Sequence, residues 1–227
     1  MKIFLRDRGI WPGMIILIML GISLAQAGIS YTMTLGRLRH FLPDDASLFV
    51  TILALLRYCL VFIMFGLWVM KRTRALFGLI ILANAVLTLS LLDHADALVT
   101  VLFGVTSRAV VSLLFDVVLM MAVNIMIFSI WYWVIDPPGI GMHDRSNERW
   151  DFLFPQRGGN LPHYESWVPH YPDYLYVAFT NSFAFSPTDT LPLTARAKML
   201  MLLQSAISIV TLTAIAGSAI NILAGNK

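Results

Sequence analysis

The stretch SLFVTILALLRYCLVFIMFGLWVM (Ser47 to Met70), then KRTR (Lys71 to Arg74), then ALFGLIILANAVLTLSLL (Ala75 to Leu92) decides the fold of this chain. Crossing the roughly 30 Å hydrocarbon core of a bilayer takes about 20 consecutive apolar residues per helix. The first run satisfies that with a single charge, Arg57, and the second comes close with none. Between them stand three basic residues in four, which reads as the cytoplasmic turn of a transmembrane hairpin.

Outward from this hairpin the pattern repeats. Of 227 residues, 58% are hydrophobic and 13% charged, more apolar surface than a water-soluble fold can hide. A first span is predicted from Pro12 to Met33, introduced by Lys2, Arg6 and Arg8, with Trp11 at interfacial depth. Its start also has the form of a signal peptide, with Ala25-Gln26-Ala27 as a cleavage pattern. The apolar run continues past Ala27 to Met33, which favours an uncleaved helix. A polar turn, Arg37 to Asp45, leads to the second span, Ser47 to Met70. The third, Ala75 to Leu92, is predicted to close at Asp93-His94-Ala95-Asp96. The following stretch, Ala97 to Ile135, reads as a short interfacial segment and a fourth span from about Ala109, ending in an aromatic belt of Trp131, Tyr132 and Trp133.

At Asp136 the composition changes. The segment to Pro172 holds six prolines, four glycines and three histidines, with no helical or strand periodicity. A dozen apolar residues, Tyr174 to Phe185, have the length of a re-entrant helix, and a last span runs from Met199 to Ala224. The expected fold is therefore an all-α integral membrane protein with about five transmembrane helices and a re-entrant, pore-loop-like segment before the last. Its parts are a four-helix region (1–135), a polar loop (136–172), the re-entrant helix and filter-like turn (173–197) and the final helix (198–227). Cys59 is the one cysteine, so neither an intrachain disulfide nor a thiolate metal cluster is available.

The order of span, polar loop, short apolar helix, polar turn and span is how a pore loop is built. The stretch YVAFTNSFAFSPTD (Tyr176 to Asp189), with Pro192 and Thr194 before the last span, resembles the pore helix, filter and inner helix of potassium-channel-type pore domains. Asp189, Pro192 and Thr194 occupy the places of an acidic residue, a proline and a threonine in that family. The filter places hold Ala184, Phe185, Ser186, Pro187 and Thr188, without the glycines on which a stack of coordinating carbonyls depends, so the resemblance does not extend to potassium selectivity. The carboxy-terminal half also resembles uncharacterised bacterial membrane proteins with a pore-like build, which implies the bacterial cytoplasmic membrane as location.

Gln204, Ser208, Thr211 and Ser218 fall close to one face of the last helix. Such a stripe lines an aqueous path or serves as interhelical glue, and Thr213 with Gly217 makes a small-xxx-small pair for close helix packing. Arg57 and Asp116 sit deep in predicted spans; they pair with each other, face water or mark a pathway, and Arg108, two turns from Asp116, competes for it. His143, Asp144, Glu148, His163, Glu165, His170 and Asp173 in the loop follow no recognised catalytic or metal-binding spacing. No catalytic residue, metal or cofactor is expected.

Counting basic residues near span ends places six (Lys2, Arg6, Arg8, Lys71, Arg72, Arg74) on one side and three (Arg37, Arg39, Lys227) on the other, so the amino terminus is predicted cytoplasmic. With five spans the pore-like loop then also faces the cytoplasm, inverted relative to potassium channels. The functional expectation is a channel-like protein, four copies around a central path, permeating a small ion in the lipid bilayer, with no nucleic-acid partner. A non-conducting scaffold or accessory subunit is the alternative, and a transporter or enzyme using the histidine-rich loop a further one.

Overall fold

The computed structural model describes residues 11–32, 44–102, 110–136, 150–158, 161–164, 167–186 and 189–225. Four long helices come first: α1 (Trp11–Ser30), α2 (Asp44–Val69), α3 (Thr73–Leu102) and α4 (Val110–Ile135). Then follow β1 (Phe152–Leu153), the single turn α5 (Pro155–Gly158), α6 (Tyr171–Ala184), β2 (Leu191–Pro192) and α7 (Ala195–Gly225). Among them α1 to α4 and α7 are long and apolar enough to cross a membrane, and this is a multi-pass membrane protein.

The helices alternate in direction. Gly13 near the start of α1 lies against Trp68 at the end of α2, where a side chain on Gly13 would come within 3.2 Å of the indole. At the other end Ser30 of α1 meets His94 of α3 at 2.7 Å. Arg196, opening α7, reaches the Ile135 carbonyl that closes α4. The basic turn at Lys71 and the loop after α4 therefore share one end of the bundle, called here the basic end.

Packing centres on α4. Two-thirds of the α4 span (67%) is buried, against 28% of the α2 span, so α4 is the central post and α2 the outermost. Most large side chains that face outward along the long helices are apolar: Phe62 is 83% exposed, Phe115 78% and Leu17 68%. Large apolar groups on the outside and amides inside is the arrangement hydrocarbon demands, since no water is present there to satisfy a polar group.

One boundary differs from the sequence reading. The third helix does not close at Asp93-His94-Ala95-Asp96 but runs on to Leu102, 30 residues in all. Asp96 is exposed and Asp93 partly so, whereas His94 is buried; the polar residues occupy different faces of a continuous helix and break nothing. The interfacial segment expected after Ala97 is thus, as far as Leu102, part of α3. The loop expected to lack regular structure holds β1, which pairs antiparallel with β2 (Phe152 with Pro192, Leu153 with Leu191).

Chain reversals explain the remaining ends. Lys71 takes a left-handed conformation (φ 54°), letting the Arg72 amide bond the Leu67 carbonyl and turning α2 into α3 within three residues. Phe185 (φ 55°) stops α6 in the same way. At its other end the Asp173 carboxylate accepts the His170 amide at 2.6 Å, one half of a capping box.

Candidate functional site

The polar side chains buried within the bundle gather in three places. The first surrounds Gln204 on α7, which is fully buried. Its side-chain amide donates to the Ala178 carbonyl and to Ser182 Oγ, both at 2.8 Å. Its side-chain oxygen accepts from Asn181 Nδ2 at 2.9 Å and from the Tyr132 hydroxyl. One turn further along α7, Ser208 Oγ accepts from Asn124 Nδ2 at 2.9 Å. This network joins α4, α6 and α7, and each bond in it is made by an apolar-surrounded group with no alternative partner in hydrocarbon.

Of the predicted lining stripe, Gln204, Ser208, Thr211 and Ser218 are all buried inside the protomer. Thr211 bonds back to the Ile207 and Ser208 carbonyls of its own helix. The face α7 turns outward carries Met199, Leu202, Ile209 and Ile220 instead. Thr213 is exposed and Gly217 partly so, which puts the small-residue pair on that outer face.

The second place is the cap at the basic end. Asp136, just past α4 and fully buried, receives Arg157 Nη1 at 2.8 Å, the Tyr174 hydroxyl at 2.6 Å and the amides of Asp151 and Phe152 at 2.9 and 3.2 Å. The guanidinium of Arg157 lies over the Trp150 ring, 5.1 Å from its centroid. Beside it Asp151 binds Arg196 through both carboxylate oxygens and accepts a hydrogen bond from the Thr194 hydroxyl. Phe152 packs edge-on against Tyr132 (5.1 Å) and Tyr174 (6.4 Å), and Phe154 against Trp167 (5.5 Å). Both flanks of α6 are thereby fastened to one end of the bundle: Tyr174 through Asp136, and Leu191 and Thr194 through Leu153 and Asp151.

Of the filter-like residues, Ala184, Phe185, Ser186 and Asp189 are exposed, while Pro187 and Thr188 lie outside the described residues. Pro192 is in β2, and Thr194 is tied to Asp151. Tyr176, Phe179 and Phe183 form the outward face of α6, the two phenyl rings 4.7 Å apart.

The third place holds the intramembrane charges. Arg57 and Asp116 do not pair. Arg57 donates through Nη1 to Ser90 Oγ of α3 at 2.5 Å, and Asp116 accepts a hydrogen bond from the Thr32 hydroxyl at 2.7 Å beyond the end of α1. Between α1 and α3, Gln26 Nε2 donates to the Leu87 carbonyl at 2.9 Å, and Ser30 bonds His94. Arg108 lies outside the described residues, as do His143, Asp144, Glu148 and Glu165; His163 and His170 are exposed. Among the described residues no three of His, Cys, Asp and Glu come together as a metal site would need.

Compared with known proteins, the chain matches no family model, no curated protein and no solved structure. The sequence reading missed Asn124, Asn181, Tyr132 and the Asp136 to Arg157 pair. The two asparagines carry a usable signal, since an isolated amide within an apolar helix needs a partner there as a charge does.

Proposed function

We propose that this chain is a non-conducting scaffold or accessory subunit of the bacterial cytoplasmic membrane, with a channel-like build in its carboxy-terminal half. The observation that carries the reading is Gln204. Gln204, on the polar face of α7 that a pore of this build would turn toward its axis, spends its side-chain hydrogen bonds on Ala178, Asn181, Ser182 and Tyr132 of the same protomer. Past its first turn and apart from Thr213, the face left free is apolar. A wall of Leu, Ile and Met dewets a narrow path rather than conducting ions through it. By the positive-inside rule, Lys71, Arg72 and Arg74 put the basic end in the cytoplasm, so the cap and the turn after α6 are the surface offered to soluble partners. No catalysis enters this reading.

A second reading keeps ion permeation. It rests on α6, whose two flanks are held at one end of the bundle, and on exposed Asp189 after it, the arrangement of a re-entrant pore loop. On that reading four chains surround a path entered past Asp189.

Purified protein in proteoliposomes decides between them. The scaffold reading expects no flux of potassium, sodium or chloride above protein-free liposomes. Robust conductance, reduced in Asp189→Asn and carried by a tetramer in nanodiscs, would replace it with the pore.

A further inference from the structure

The turn between α2 and α3 sets bare apolar side chains directly against bare cations. Val69 and Met70, the last residues before it, are 61% and 64% exposed, and Phe62 and Phe65 are exposed further back on the same helix. Both helices are long and apolar enough to cross a membrane, so hydrocarbon covers this face and ends close to Met70. Lys71, Arg72 and Arg74 follow at once, all three exposed. Their Cα atoms lie within about 11 Å of one another, at ~3.8 Å per residue.

No acid answers these charges. Among the described residues the carboxylate to cation contacts are Asp136 with Arg157 and Asp151 with Arg196. Water would solvate a loose basic run equally well, but this one is held in place. The Lys71 and Arg72 amides bond the Trp68 and Leu67 carbonyls, both at 3.0 Å, and fix Lys71 at φ 54°. Glycine ordinarily takes that place, and here it carries an ammonium group instead. Trp68, 49% exposed and with its ring 6.0 Å from that of Phe65, brings an indole N–H to the same depth. The positive end of the α3 dipole begins at Thr73 and adds to the field.

We propose that the α2–α3 turn is a binding site for an anionic phospholipid, its phosphate held by Lys71, Arg72 and Arg74 and its acyl chains lying against Met70, Phe65 and Phe62. Free phosphate or an acidic peptide would match the cations and leave Val69, Met70 and Phe65 uncovered. A phospholipid matches both halves of the surface, charge against charge and chain against apolar side chain.

The test is native mass spectrometry of the full chain in a neutral detergent, titrated with phosphatidylglycerol or with phosphatidylcholine of the same acyl chains. The expected result is a saturable phosphatidylglycerol adduct that phosphatidylcholine does not match. Changing Lys71, Arg72 and Arg74 together to Gln should weaken it about fivefold per cation, on the order of a hundredfold in all. Lys198→Gln removes the same charge at the same end of the bundle, on α7, and should leave it nearly unchanged. Equal affinity for the two lipids would overturn the site, and an equal loss in Lys198→Gln would reduce it to the general field of the basic end. Displacement of the lipid by millimolar inorganic phosphate would reassign the cations to a free anion. Should the triple variant fail to insert, Lys71→Gly decides instead: it relieves the left-handed backbone, so it should keep the thermal midpoint while binding phosphatidylglycerol about fivefold more weakly. Unchanged affinity in Lys71→Gly overturns the proposal.

Discussion

Asp136 and Arg157 meet at 2.8 Å with their side chains 0% and 3% exposed, and through this contact the segment after α4 is clamped onto the bundle. Removing one partner of a buried pair strands the other charge, at a cost of about 3–5 kcal/mol. Arg157→Ala is therefore expected to loosen the cap while the long helices stay assembled. Limited proteolysis reads this as faster cleavage within residues 150–170, with unchanged helical content by circular dichroism. Arg196→Ala should do less, because that side chain is 60% exposed and its pairing with Asp151 is partly screened by solvent. Equal effects of the two variants would show that the cap is not held mainly by Asp136.

The same carboxyl sets a pH dependence. Burial pushes Asp136 above its ordinary value of 3.8, against the opposing pull of Arg157, of the Tyr174 hydroxyl and of the Asp151 and Phe152 amides. The fold then holds this proton more tightly than the unfolded chain does. Its contribution to stability is present in full below the unfolded value and is lost as pH rises through the folded one. Protection of the cap from proteolysis is expected to rise on acidification from about pH 7 toward pH 4, and Asp136→Asn, which cannot ionise, should flatten that slope. A slope unchanged in Asp136→Asn would assign it to other groups.

Gln204→Leu keeps the volume and removes four hydrogen bonds. Buried interhelical bonds of this kind are worth about 0.6–1.7 kcal/mol each in membrane proteins. The variant should unfold at lower denaturant than wild type, and Asn181→Leu together with Gln204→Leu should cost less than the sum of the two single changes, since their shared bond is lost only once. Strict additivity would mean the bond between them contributes nothing.

Cys59 is exposed on α2, so lipid rather than protein must cover it. A charged, membrane-impermeant maleimide is expected to leave it unlabelled in intact proteoliposomes and to label it after solubilisation in sodium dodecyl sulfate. Rapid labelling in the intact vesicles would put this face of α2 in water.

The placement of α6 is tested by a nitroxide at Phe183→Cys in a Cys59→Ser background. If the helix is re-entrant, its outward phenylalanines lie in hydrocarbon and the label collides with dissolved oxygen more than with a polar nickel chelate. The reverse preference would leave α6 on the membrane surface.

How much of this was legible in the sequence depends on the range over which each residue acts. The apolar runs located the five long helices, because length and absence of charge are local properties. Asp93 to Asp96 misled, because a charged tetrapeptide ends a transmembrane helix and decorates one that continues beyond the bilayer in the same way. The direction of the Gln204 stripe was open for a different reason. A polar face is the same string of letters whether it meets water or another helix, and only the positions of Asn124, Tyr132 and Asn181 decide between them. The clamp of Asp136, Asp151, Arg157 and Arg196 spans 60 residues of chain and leaves no periodic trace.

The length of α3 carries a mechanical consequence. Thirty residues make a rod of about 45 Å, half as long again as the hydrocarbon core, and Thr73 to Asp93 alone accounts for about 30 Å of it. Thr73 to Leu92 carries no acid, and Asp93 and Asp96 fall in the turns beyond it. A thicker membrane would draw Asp93 and Asp96 toward hydrocarbon and oblige the helix to stand more upright; a thinner one would let it lean. Because Ser90 and His94 ride on this rod, the width of the surrounding lipid sets how far the Arg57 guanidinium lies below the water.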